Sequence, residues 1–168
     1  MMRRLLWLAG AALVLAALGT VKAQGSNDSL AIYRCELRCG DLAAGELGPR
    51  GFGEPSGGTA TALAIVDGNR LIITGEYSGL PGTVIEDLAS GVHLHHDPAM
   101  YHLATLVRGF RNDGGTAGAF AGTVILTPDY RAMLEAGRMY LDIHTTALPG
   151  GELRGMLTPI DVAGLLAR

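Results

Sequence analysis

The sequence predicts an all-β fold, a β-sandwich or barrel with one short helix, and three observations lead there. Short runs of residues repeatedly alternate apolar with polar, which is the period of a strand with one buried face. Turn signals built from Gly, Pro, Asn and Asp separate these runs at the spacing of a multi-stranded sandwich. Glycine is abundant, at 25 of 168 residues, and aromatics make up only 5%, a composition that goes with many short strands and turns.

Residues 1–23 have the layout of a secretory signal peptide: Arg3 and Arg4, an apolar run from Leu5 to Leu18, and small residues ending in Val21-Lys22-Ala23. Cleavage is expected before Gln24, and the alternative is an uncleaved anchor helix, the apolar run being slightly short of the ~17 residues that span a bilayer. The segment holds three of the 13 basic residues and none of the 16 acidic ones, so the mature chain has 10 against 16, a net charge of −6 with no lysine left. Such a balance gives no electrostatic basis for binding nucleic acid or an anionic membrane, and it excludes lysine-based chemistry. The expected localisation is secreted or periplasmic, with no membrane association once the signal is removed.

Residues 24–30 form a polar leader. Tyr33, Cys35, Leu37 and Cys39 then alternate with Arg34, Glu36 and Arg38 as a first strand with one charged face. Residues 40–58 are rich in Gly and Pro and read as a loop. Thr59 to Val66 and Leu71 to Tyr77 are two strands joined at Asp67-Gly68-Asn69, a hairpin signal. A turn follows over Ser78 to Gly82, and Thr83 to Ala89 fits no single element. The next strand carries His93 and His95 and is broken by Asp97-Pro98. Leu103 to Phe110 is a strand, Arg111 to Gly118 a loop around Asn-Asp-Gly-Gly, and Ala119 to Leu126 a strand.

The one helix is announced by Thr127 as N-cap, Pro128 at the first helical position and Asp129 in the first turn, with Gly137 ending it. Its apolar side is Tyr130, Met133 and Leu134. A strand from Arg138 brings in His144, a Pro149-Gly150-Gly151 turn follows, and Glu152 to Leu157 is the last strand. The domain ends near residue 158, leaving residues 159–168 as a tail.

Residues i and i+2 of a strand share a face, so His93 and His95 stand side by side, roughly 6 to 7 Å apart at the backbone. His144 from a neighbouring strand would complete three imidazoles, with His96 or His102 as a fourth; neutral imidazoles suit copper, zinc, iron and nickel. The competing reading makes them partly buried structural histidines, hydrogen bonded to the backbone or to Asp142. Glu152 and Arg154 also share a face and pair structurally, with each other or across strands.

Cys35 and Cys39 should be oxidised in an exported protein, yet on a straight strand they lie roughly 13 Å apart, about twice the reach of a disulfide. A bridge between them requires a bulge or turn near Leu37, or a helical segment; the alternatives are two buried thiols or a bridge to another chain. No Gly-x-Ser-x-Gly elbow and no G-x-x-x-x-G-K phosphate loop occurs in the sequence.

Five motifs taken together, Ser78-Gly79-Leu80, His93-Leu94-His95, Gly122-Thr123-Val124 with Leu126-Thr127, Tyr140-x-Asp142-Ile143-His144-Thr145, and Gly150-Gly151-Glu152-Leu153-Arg154-Gly155, resemble the chordin-type (CHRD) domain. The resemblance covers residues 31–158. The chain departs from the family pattern after the histidine pair, where His96 to His102 replaces a glycine-rich turn with Asn-Gly-Pro, and after Gly40. The resemblance implies an exported β-sandwich, immunoglobulin-like or superoxide dismutase-like in its Greek-key topology, of a family found in animal growth-factor antagonists and in microbial proteins. Two functions follow from different classes. One is a non-enzymatic module presenting loops 40–58, 96–102 and 111–118 to an extracytoplasmic protein, matrix or envelope partner; it needs no cofactor. The other is a copper-binding or redox protein using His93, His95 and His144.

Overall fold

The computed structural model describes residues 30–39, 57–85, 90–96, 105–162 and 164. Residues 1–29, on which the expected signal peptide and most of the expected leader fall, and His102 lie outside these residues. Among the described residues are ten strands and one helix: β1 (Ala31–Arg38), β2 (Thr59–Asp67), β3 (Arg70–Ser78), β4 (Val92–His96), β5 (Thr105–Gly109), β6 (Arg111–Asn112), β7 (Gly118–Ile125), α1 (Pro128–Glu135), β8 (Met139–Ile143), β9 (Leu153–Met156) and β10 (Thr158–Pro159). All pairings are antiparallel, in the order β5-β4-β8-β9-β1-β2-β3-β7-β6, with β10 also against β1. The fold is all-β, as the alternation predicts.

The two ends of that order are consecutive in sequence. Only Phe110 separates β5, which pairs with β4, from β6, which pairs with β7. One strand therefore serves both edges, and the sheet curls into a nearly closed barrel. This amends the sequence reading of a loop beginning at Arg111: Arg111 and Asn112 still pair, with Ala121 and Phe120. Closing a sheet this way removes exposed strand edges.

Glycine makes room for the barrel's few rings. A Cβ on Gly75 would strike the Phe120 ring, and one on Gly122 would stand 2.6 Å from Cδ1 of Phe110. The hairpin between β2 and β3 turns at Gly68, whose φ of 57° is left-handed and so suits glycine. Helix α1 starts as its sequence requires, the Thr127 hydroxyl accepting from the Tyr130 N–H at 3.2 Å, and Leu134 is its buried anchor.

Strand β1 bears on the state of the cysteines. It pairs with β2 without interruption from Ala31↔Val66 to Arg38↔Thr59, so no bulge forms near Leu37. Tyr33, Cys35 and Leu37 face the core while Arg34, Glu36 and Arg38 face out. Both thiols are free, so the expected intrachain bridge is not formed; β1 runs straight from Cys35 to Arg38, and an extended run of four residues spans roughly 13 Å, about twice the reach of a disulfide. Burial pushes the Cys35 thiol up to about 12. A thiol reagent is therefore expected to label Cys39 first and Cys35 only at the rate of unfolding, read as two kinetic phases; a single fast phase of two thiols would contradict this placement.

Candidate metal centre

The site lies on the outer face of β4 and β8. In their antiparallel register His93 stands opposite Asp142 and His95 opposite Tyr140, and directly opposed residues share a face. Leu94, Leu141 and Ile143 alternate with them and point into the core. His144 lies one residue beyond β8 and stays extended, its N–H donating to the Gly91 carbonyl at 2.7 Å and its carbonyl accepting from Ile85 at 3.1 Å. Two i, i+2 pairs on adjacent strands, His93/His95 and Asp142/His144, are thereby brought onto one patch of sheet.

At its centre is one oxygen. Asp142 Oδ1 lies 3.6 Å from His93 Nδ1, 3.4 Å from His95 Nε2 and 3.3 Å from His144 Nε2. These four residues offer ligand atoms that all lie within 4.8 Å of one another. The Asp142 side chain is 2% exposed and the three imidazoles 12–19%. None of the three contacts is aligned as a hydrogen bond: Asp142 Oδ1, His95 Nε2 and His144 Nε2 are all buried with no hydrogen-bond partner. Buried polar atoms are ordinarily satisfied, so three converging atoms left without a hydrogen bond, Asp142 Oδ1, His95 Nε2 and His144 Nε2, call for an explanation.

Asp142 Oδ2 is occupied differently. It takes Arg154 Nη2 from across the β8–β9 register at 3.3 Å, which leaves Oδ1 turned to the imidazoles. The Arg154 guanidinium also lies over the Tyr140 ring, 4.8 Å from its centroid, and that ring stacks on His95 at 5.2 Å and 12°. Burial alone would raise the Asp142 carboxyl, but the His144 and His95 contacts outweigh it and hold the group well below the usual carboxylate range. Burial likewise opposes charging of His144, and Asp142 together with the Pro149 carbonyl overcomes it, raising the imidazole. The patch is built to hold positive charge against one carboxylate.

A metal ion fits that description. In a tetrahedral site with bonds of about 2.0–2.1 Å, neighbouring ligand atoms stand about 3.3–3.4 Å apart, and the Asp142 Oδ1 distances of 3.3, 3.4 and 3.6 Å are close to this. Three imidazole nitrogens and a carboxylate oxygen form a donor set for zinc or copper. One second-sphere contact is also in place, His144 Nδ1 against the Pro149 carbonyl at 2.8 Å.

Of the residues singled out by sequence, His93, His95 and His144 come together, whereas His96 does not. It follows His95 directly in the strand, so its ring points away, 5.9 Å from that of Tyr130 on α1. The fourth member of the cluster is Asp142, which the sequence reading treats as a hydrogen-bond partner of structural histidines. Its signal was the Asp-x-His spacing, the same one-face spacing as His-x-His. Arg154 takes the cross-strand course through Asp142, while Glu152 accepts the Thr145 hydroxyl at 2.7 Å.

Among the described residues no helix is long and apolar enough to cross a membrane. No curated protein and no solved structure matches the chain. The family model of the CHRD domain matches residues 46–157, a stretch that contains the whole centre and every strand but β1 and β10. The motifs that carry the resemblance and this match agree, and the chain belongs to the CHRD domain family.

Proposed function

We propose that this protein is an exported, non-enzymatic module that holds one divalent transition-metal ion, zinc or copper, between His93, His95, His144 and Asp142. The observation that carries the reading is the convergence of three imidazole nitrogens on Asp142 Oδ1 at 3.3–3.6 Å, with no hydrogen bond to that oxygen. Four protein ligands fill a tetrahedral shell, and closed shells belong to structural ions, whereas catalytic zinc keeps a position open. The ion would clamp β4 to β8, stiffening the barrel beneath the loops such a module offers to a partner. Export rests on the signal-like layout of residues 1–23.

The test uses protein recovered from outside the cytoplasm, whose first residue should be Gln24. Freed of metal and titrated with Co(II), it should take one ion per chain and develop the strong visible absorption of tetrahedral cobalt. Zn(II) should displace that colour and raise the melting temperature; free ion at 1,000 times Kd adds about 4 kcal/mol. His144→Ala should remove the colour and His96→Ala leave it. Equal loss in both variants, or only the faint spectrum of six-coordinate cobalt, would overturn the site. The imidazoles' 12–19% exposure favours a second reading in which copper is reached by a small oxidant or reductant. Turnover of superoxide by the copper-loaded protein, lost in His144→Ala, would move the assignment from a structural ion to a redox one.

A further inference from the structure

We infer that the turn from Thr145 to Glu152 is a positioning device for the centre: the buried Thr145–Glu152 pair holds the Pro149 carbonyl on His144 Nδ1, and so dictates which nitrogen of that ring faces the metal position. The inference takes its purpose from the metal reading above, but its geometry stands independently of it.

A carbonyl oxygen only accepts. With His144 Nδ1 2.8 Å from the Pro149 oxygen, the neutral ring must carry its proton on Nδ1, and the lone pair is left on Nε2, the atom 3.3 Å from Asp142 Oδ1. What holds Pro149 there is a compact set of bonds. The Thr145 hydroxyl donates to Glu152 Oε2 at 2.7 Å and accepts the Leu148 N–H at 3.1 Å. The Leu148 carbonyl in turn accepts from Gly151 at 3.0 Å and from Thr145 at 3.4 Å, and the Glu152 N–H donates to the Ile143 carbonyl at 2.7 Å. Thr145 and Glu152 are both fully buried. A buried carboxylate is costly unless its hydrogen bonds are made, and a turn that needed only to reverse the chain could be built without one.

His95 makes the contrast. Neither ring nitrogen of His95 has a hydrogen-bond partner, and its ring is held by stacking on Tyr140. Of these two ligands, only His144 has its donor atom fixed from outside the centre. Such outer contacts orient the ligand, and their loss typically weakens metal binding roughly 10–100-fold.

The test compares Thr145→Val, which keeps the shape and removes the hydroxyl, with Thr145→Ser, which restores it. Long-range proton–nitrogen NMR of the metal-free protein at alkaline pH reads the His144 tautomer directly. The wild type should show the Nδ1–H form alone, Thr145→Val a mixture of tautomers with Zn(II) affinity roughly 10–100-fold lower, and Thr145→Ser the wild-type pattern. If Thr145→Val melts earlier yet keeps a pure Nδ1–H ring and full affinity, the turn is structural only and the inference fails. Should Thr145→Val not fold, Glu152→Gln decides: it keeps an oxygen for the Thr145 hydroxyl and must keep the tautomer, and a mixture there overturns the inference. A tautomer that responds as stated in a wild type that takes up no ion would instead defeat the metal reading and leave the positioning of His144 standing.

Discussion

Asp142→Ala is expected to abolish tight metal binding and also to cost the metal-free protein about 3–5 kcal/mol, the loss typical of removing one partner from a buried ionic group. The carboxylate is the only negative group within the four-residue cluster, and its two oxygens divide the work, Oδ2 toward Arg154 and Oδ1 toward the three imidazoles. Without it the Arg154 guanidinium loses its Asp142 contact while its side chain remains 8% exposed. His144, raised by that carboxylate, loses what stabilises its charged form. Asp142→Asn separates the two effects: it keeps the volume and an oxygen for Arg154, so stability should fall less, while the charge that attracts the ion is gone. Urea unfolding of the metal-free proteins gives the first quantity and chelator competition the second. If Asp142→Ala unfolds within about 1 kcal/mol of wild type, no more than an average substitution costs, the carboxylate is not the hub described.

How much of this was legible in the sequence follows from what periodicity can report. Alternation located the strands, because a half-buried strand writes its two faces into the residue order. It also put His93 and His95 on one face, and Asp142 and His144 on one face. It could not say that the faces coincide, since that depends on the register of β4 against β8, a relation between segments some 50 positions apart. For the same reason Glu152 and Arg154, neighbours on one face, read as a pair, although the β8–β9 register sets Arg154 against Asp142. The disulfide expectation came from redox compartment, and the local geometry of β1 overrode it. The loop from Arg111 to Gly118 was announced by its turn residues, but β6 was hidden inside its first two positions, because a two-residue strand carries no period of its own.

That short strand is where the fold closes, and Phe110→Ala is expected to show it, at a cost of about 3–5 kcal/mol. Phe110 is buried between β5 and β6. Its N–H donates to the Val92 carbonyl at 2.8 Å, its carbonyl accepts from Ser90 Oγ, and its ring lies 6.4 Å from that of Phe120. The ring fills space over Gly122, where a Cβ would stand 2.6 Å from Cδ1. Truncation is therefore expected to leave a cavity over Gly122, which has no side chain to fill it. This yields a sign reversal that a simple loss of hydrophobicity would not produce. Gly122→Ala should destabilise the wild type, because the new methyl meets the ring, and should be neutral or stabilising in Phe110→Ala, because it enters the void. A coupling of that sign, at least about 0.5 kcal/mol in a double-mutant cycle, would place the ring against Gly122 in solution. Equal losses in both backgrounds would mean that β5 and β6 do not hold the barrel's two edges together through this residue. Because Val92 precedes His93, the same cycle repeated with Zn(II) bound asks whether the closure and the metal centre are one mechanical unit: coupling that grows on loading would say that the ion and the ring brace opposite sides of β4.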